Sequence, residues 1–140
     1  MVQSRYAIRT TLPLPFDEAV REVTERLREE GFGVLTEIDV RRTMKEKLGA
    51  EFREYVILGA CNPHLAHQAF AAELEIGILL PCNVIVYRDD GGSAVAVMDP
   101  IAALEITGND RLRPIAEEAR ARLERVLERL ESDHPPARPS

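Results

Sequence analysis

One stretch limits the architecture more than any other. Asn83–Arg88 (NVIVYR) and Ser93–Met98 (SAVAVM) are two short β-branched runs, separated by Asp89-Asp90-Gly91-Gly92. Asp-Gly is favoured in a two-residue hairpin because both central positions need positive φ. The runs therefore predict a tight antiparallel pair. A chain with such a pair, and without steady alternation of strand and helix elsewhere, points to an α+β domain with one mostly antiparallel sheet.

The rest of the chain supplies elements around this pair. Ser4–Thr11 alternates, with Tyr6, Ile8 and Thr10 on one side, which predicts a half-buried strand ended by Leu12-Pro13-Leu14-Pro15. Phe16, Val20, Val23 and Leu27 recur at helical spacing up to about Glu30, with Asp17 and Glu18 in the first turn and Gly31 as the stop. Phe32–Ile38 reads as a second strand. Asp39 caps a short helix over Val40–Leu48 with an apolar stripe of Val40, Met44 and Leu48, ended by Gly49. Phe52–Ala60 is a third strand, apolar on both faces at Val56-Ile57-Leu58 and so central. Asn62-Pro63 then opens a helix to about Leu74, since Asn is a favoured cap and Pro a favoured first helical residue. Its apolar residues are Leu65, Ala66, Ala69, Phe70 and Ala72. Ile76–Leu80 is apolar without a decisive period. Ile101–Ile106 reads as a short helix and Asp110–Glu131 as the longest one. The expected unit is one domain over residues 4–131, followed by a polar, proline-rich, disordered tail over 132–140.

Charge and composition narrow the partners. The 140 residues carry a net charge of −6, whereas a phosphate-backbone binder needs a basic footprint. Three Tyr, four Phe and no Trp supply few stacking surfaces for single strands. No nucleic-acid partner is expected. The local basic run Arg41-Arg42 to Lys47 reads as a solvated helix face. The N-terminus lacks the order of a secretion signal, and Ile76–Leu80 is far too short to span a bilayer, so a cytoplasmic protein without a membrane partner is expected.

The candidate chemistry sits at Cys61-Asn62-Pro63 and Pro81-Cys82-Asn83. If the third and fourth strands are antiparallel, the third ends where the fourth begins and where the fifth ends. Cys61, Asn62, Cys82, Asn83 and Asp99 then converge at one end of the sheet. Three readings of the cysteines stay open. They are small buried residues, a redox pair in which the helix dipole lowers the Cys61 thiol, or part of a metal set with His64 and His67. A bridge would close a loop of about 21 residues, worth about 3 kcal/mol in the chain-entropy model. By helical wheel both histidines point away from the apolar face, which speaks against metal. Asp99 before Pro100 is a candidate general base, or a turn organiser. No nucleophile elbow, phosphate loop or zinc motif is present.

Gly59-Ala60-Cys61-Asn62-Pro63, Leu65-Ala66, Ile76–Val84 (IGILLPCNV) and Met98-Asp99-Pro100 together resemble the bacterial and archaeal family catalogued as domain of unknown function 302. Gly31-Phe32-Gly33-Val34 and Lys47-Leu48-Gly49 also fit, and the likeness covers about Ser4 to Leu130. The resemblance implies a β-α-β4-α fold similar to that of TATA-binding protein, with helices on one face and extra short helices. It implies a shared motif of Cys61, Asn62, Pro63, Pro81, Cys82, Asn83 and Asp99, without His64 or His67, and no established activity. The expected function is a small-ligand binding or sensing module, acting as a homodimer without a cofactor. A small polar or anionic ligand would lie against Cys61, Asn62, Cys82, Asn83 and Asp99. The alternatives are a thiol-redox enzyme using Cys61 and Cys82, and a structural or interaction module without a site.

Overall fold

The computed structural model describes residues 1–135. In order, the elements are β1 (Val2–Gln3), β2 (Ala7–Leu12), α1 (Phe16–Glu29), β3 (Gly33–Asp39), α2 (Val40–Leu48), β4 (Tyr55–Cys61) and α3 (Pro63–Ala72). A 3-10 segment (Leu74–Leu79) follows, then β5 (Cys82–Asp89), β6 (Gly92–Met98), α4 (Pro100–Glu105), a 3-10 turn (Asp110–Leu112) and α5 (Arg113–Asp133). The hairpin forms as expected: Asp90 and Gly91 both take positive φ (35° and 78°) between β5 and β6.

All strands join one sheet in the order β1-β2-β6-β5-β4-β3, with every pairing antiparallel. Apart from the two-residue β1, this is β-α-β4-α with short helices inserted, the α+β arrangement the sequence predicts. Strand alternation sorts the side chains. Ile8, Leu12, Val56, Leu58, Ala60, Val84, Val86, Val95 and Val97 form one buried face. Against it lie Ala19, Val23 and Leu27 of α1 and Leu123, Val126, Leu127 and Leu130 of α5. Each large aliphatic side chain buried here stabilises the fold by about 1.5–3 kcal/mol. On the opposite face Tyr55 and Tyr87 are directly paired in register and stack at 5.4 Å, with the Arg53 guanidinium 5.8 Å from the Tyr87 ring centre.

A second, smaller core joins α3, the 3-10 segment, α4 and the start of α5. It contains Ala69, Ile76, Leu104, Leu112 and Ala116, with Leu79, Leu80 and Ile101 packed on it. This cluster determines what closes over the sheet at the end where β4 stops and β5 starts. Among the described residues no helix is long and apolar enough to cross a membrane.

Several local expectations are corrected. The first long strand begins at Ala7 and includes Leu12, which is buried opposite Ser93, while Tyr6 is 72% exposed and not on the core side. The α2 boundaries agree with the Asp39 cap and the Gly49 stop, but its Val40-Met44-Leu48 stripe is no packed face: Val40 and Met44 are only half-buried, and Leu48 is 74% exposed. The third predicted strand starts at Tyr55 rather than Phe52. Phe70 lies off the buried side of α3. The ambiguous run after α3 is 3-10 helical, with Ile76 buried and Leu74 and Ile78 each 81% exposed. The last helix begins only at Arg113, after the 3-10 turn. It continues through Ser132 and Asp133, into the stretch read as tail, and the rest of that expectation, residues 136–140, lies outside the described residues.

Candidate functional site

Register places the candidate residues. Ala60 pairs with Cys82 and Val84 with Val97, so the end of β4, the start of β5 and the end of β6 share one end of the sheet. Cys61, Asn62, Cys82, Asn83 and Asp99 are all found there, but they do different things.

Asn62 is 6% exposed and caps α3, its Oδ1 accepting from the Leu65 N–H at 3.2 Å. Pro63 has no N–H and the Ala66 N–H bonds the Asn62 carbonyl, so the cap leaves only the His64 N–H free in the first turn. Asp99 is 7% exposed and caps α4, its Oδ1 accepting from the Ile101 N–H at 2.9 Å. Its Oδ2 accepts from Arg120 Nη1 of α5 at 2.9 Å, and its own N–H donates to the Tyr6 carbonyl at 2.8 Å. A carboxylate held this way, with each oxygen accepting one hydrogen bond, organises helix and strand ends. Asn83 stands opposite Gly59, is exposed, and makes no side-chain hydrogen bond among the described residues.

Beside these residues lies a cavity of about 40 Å³. Cys61, Asn62 and Cys82 line it from the strand ends, Leu65 and Ala69 from α3, and Leu80 and Pro81 from the chain entering β5. Ala66 of α3, Ala103 and Leu104 of α4, Ala119 of α5 and Met98 are also part of it. Its wall is almost wholly apolar or sulfur. Asn83 and Asp99 are its neighbours and not part of the wall.

Both cysteines are free thiols. Burial pushes the Cys61 thiol up, opposite to the direction a helix dipole alone would give. Cys82 is pushed up to about 11, first by burial and then by the proximity of Cys61. Both groups are therefore neutral thiols at neutral pH. His64 and His67 on α3 are exposed and outside this wall. Among the described residues no group of three or more His, Cys, Asp and Glu side chains is placed to share a metal ion.

Some of the site is not visible in the local patterns. Ala103, Leu104 and Ala119 sit at ordinary core positions of helices, where an apolar residue signals burial and nothing more. The Leu80–Pro81 peptide is cis, and Pro81 packs so near Gly59 that a Cβ there would lie 2.8 Å from Pro81 Cγ. The only cue in the sequence is the Leu-Pro-Cys-Asn run itself.

Comparison with known proteins agrees with this geometry. A crystal structure of an uncharacterized conserved DUF302 protein from Bacillus stearothermophilus superposes with a TM-score of 0.84 at 29% sequence identity. The likeness covers 91% of this chain and 99% of that one. No curated protein matches the chain. The family model described as Domain of unknown function DUF302 matches residues 8–130, and the chain belongs to that family.

Proposed function

We propose that the protein is a small-ligand binding or sensing module whose site is the cavity at the cysteine end of the sheet. One observation carries this reading: both cysteines of the chain and the Asn62 cap border the same small apolar cavity. The wall favours a compact apolar or polarisable occupant over an anion, because the α3 N-terminus keeps only the His64 N–H free and His64 lies outside the wall. The volume favours an occupant of very few heavy atoms. A cavity that takes benzene measures about 150 Å³, against about 40 Å³ here. A thiol-redox enzyme gains less support, since a nucleophilic cysteine needs a lowered pKa and both thiols are raised.

Xenon is a suitable probe for such a space. Backbone amide spectra under xenon pressure are expected to shift at Asn62, Leu65, Cys82 and Ala103. Those shifts should vanish in Ala66→Leu, which fills the cavity from α3. Shifts scattered over the surface, or unchanged by Ala66→Leu, would contradict the proposal.

A further inference from the structure

We propose that two copies of the chain associate face to face through the side of the sheet opposite α1 and α5, burying its central apolar rows against each other. Register builds that surface. Ile38, Ile57, Ile85, Ala96 and Arg9 are aligned partners across β3, β4, β5, β6 and β2, and so share one face. Beside that row runs a second, Tyr55, Tyr87, Ala94 and Thr11. Their strand neighbours Val56, Leu58, Val84, Val86, Val95 and Val97 are buried in the core under α1 and α5. In contrast, Ile57, Ile85, Ala96, Tyr55 and Tyr87 are only half-buried, and Ile38 is exposed. An antiparallel sheet with one face in water alternates to polar residues there. The centre of this face is apolar instead, with Thr11 and Asp89 at one end and Thr36 and Asn83 at the other.

The composition is that of an interface core, where Tyr, Phe and Arg are enriched. The exposed Phe52 lies 6.0 Å from Tyr55. The Tyr55 phenol is pushed up first by burial and then by Tyr87 and Tyr6, so all three tyrosines of the chain gather on this side.

Three properties fit a second copy. The first is charge. Arg9 donates to the Tyr87 hydroxyl at 3.4 Å, and the Arg53 guanidinium lies 5.8 Å from the Tyr87 ring centre. The rows between Arg9 and Ile38 carry no other charge, so two such faces meet without opposed charges at their centre. A nucleic acid would need many free cations and open ring faces, whereas Tyr55 and Tyr87 stack on each other at 5.4 Å. The second is shape. Identical sheets share one twist, and sheets pack about 10 Å apart with strands within about 30° of each other. The third is area. Five strands about 4.8 Å apart, each giving about six residues of about 3.4 Å, outline about 500 Å². Two copies then cover about 1,000 Å², before Tyr6 and Phe52 are added, which is where specific interfaces begin.

Sedimentation equilibrium of the full chain over a wide concentration range tests this. A species of twice the chain mass is expected. Ile57→Glu and Ile85→Glu are each expected to weaken association by about 30-fold or more. Leu74→Glu, at an exposed apolar residue of the 3-10 segment, is expected to associate as the parent does. Should a glutamate in the sheet unfold the chain, the unmodified protein answers alone. A soluble paramagnetic probe should broaden the Ile57 and Ile85 methyl signals in dilute protein and spare them in concentrated protein. A dimer whose Ile57 and Ile85 methyls stay open to the probe would overturn the inference, as would dissociation by Leu74→Glu in place of the sheet variants. A monomer at every concentration would also overturn it, and would leave the face to a partner of another kind.

Discussion

Burial sets the character of the two thiols. An ordinary cysteine loses its proton near 9, and Cys82 holds it to about 11. Between those values the unfolded chain has lost the proton and the folded chain keeps it. The folded state then binds more protons, so stability falls as pH rises from about 9 to 11 and is unaffected by this group below that window. The loss amounts to about 2–3 kcal/mol across the window. Urea unfolding at stepped pH should show it, and Cys82→Ala should flatten the slope. An equal slope in that variant would show that Cys82 is not the group responsible. Asp99 illustrates a different residue-scale role. Asp99→Ala removes a helix cap and the partner of Arg120 together. A cost of about 2–4 kcal/mol is expected in chemical denaturation. A cost below about 0.5 kcal/mol would mean that the carboxylate is free, as a surface group is. The Asn62-Pro63 cap was legible because capping chemistry is local, whereas Asp99-Pro100 read only as a strand end with a general base or turn organiser, and its role as the α4 cap was missed. The Arg120 partner was not legible, since nothing local links β6 to the middle of α5.

At the scale of elements, local signals placed boundaries well and burial poorly. Asp39 and Gly49 delimited α2, because a cap and a left-handed stop act within one turn. The Val40-Met44-Leu48 stripe suggested a packed face, but among the described residues it is only partly covered, with Val40 and Met44 half-buried and Leu48 exposed. Whether an apolar stripe is buried depends on a second element, which periodicity cannot see. The meeting of β3, β4 and the chain entering β5 is equally non-local. Gly59 sits where Thr36 and Pro81 close in, with Pro81 Cγ 2.8 Å from the position of an added Cβ. Gly59→Ala is expected to cost about 1–3 kcal/mol through overpacking. Thr36→Ala in the same chain should recover part of that, because it removes the hydroxyl pressing on the new methyl. Thermal unfolding of the single and double variants checks this. A double variant no more stable than Gly59→Ala would place the strain elsewhere.

For the whole molecule, the hairpin and the strand directions implied the topology, and the sheet order agrees with them. The convergence of Cys61, Cys82 and Asp99 at one end followed from the same directions. What could not be read was the cavity wall, assembled from α3, α4, α5 and the 3-10 segment by packing across the chain. The long helices also carry ion pairs across their junction, Arg125 with Glu30 and Arg26 with Asp133 at 3.0 and 3.2 Å. Each joins a largely buried side chain to a half-exposed one, and with Arg125 the exposed partner, Arg125→Ala is expected to cost at most about 1 kcal/mol, less in high salt. A loss of several kcal/mol in urea unfolding would mean that the pair, and not the apolar seam beneath, holds α1 to α5.

The cavity can be examined directly by anomalous diffraction from a crystal of the reduced protein pressurised with xenon. The account predicts one principal xenon, in contact with Cys61, Cys82, Leu80 and Ala103. Xenon elsewhere in the molecule, with that space empty, would contradict it.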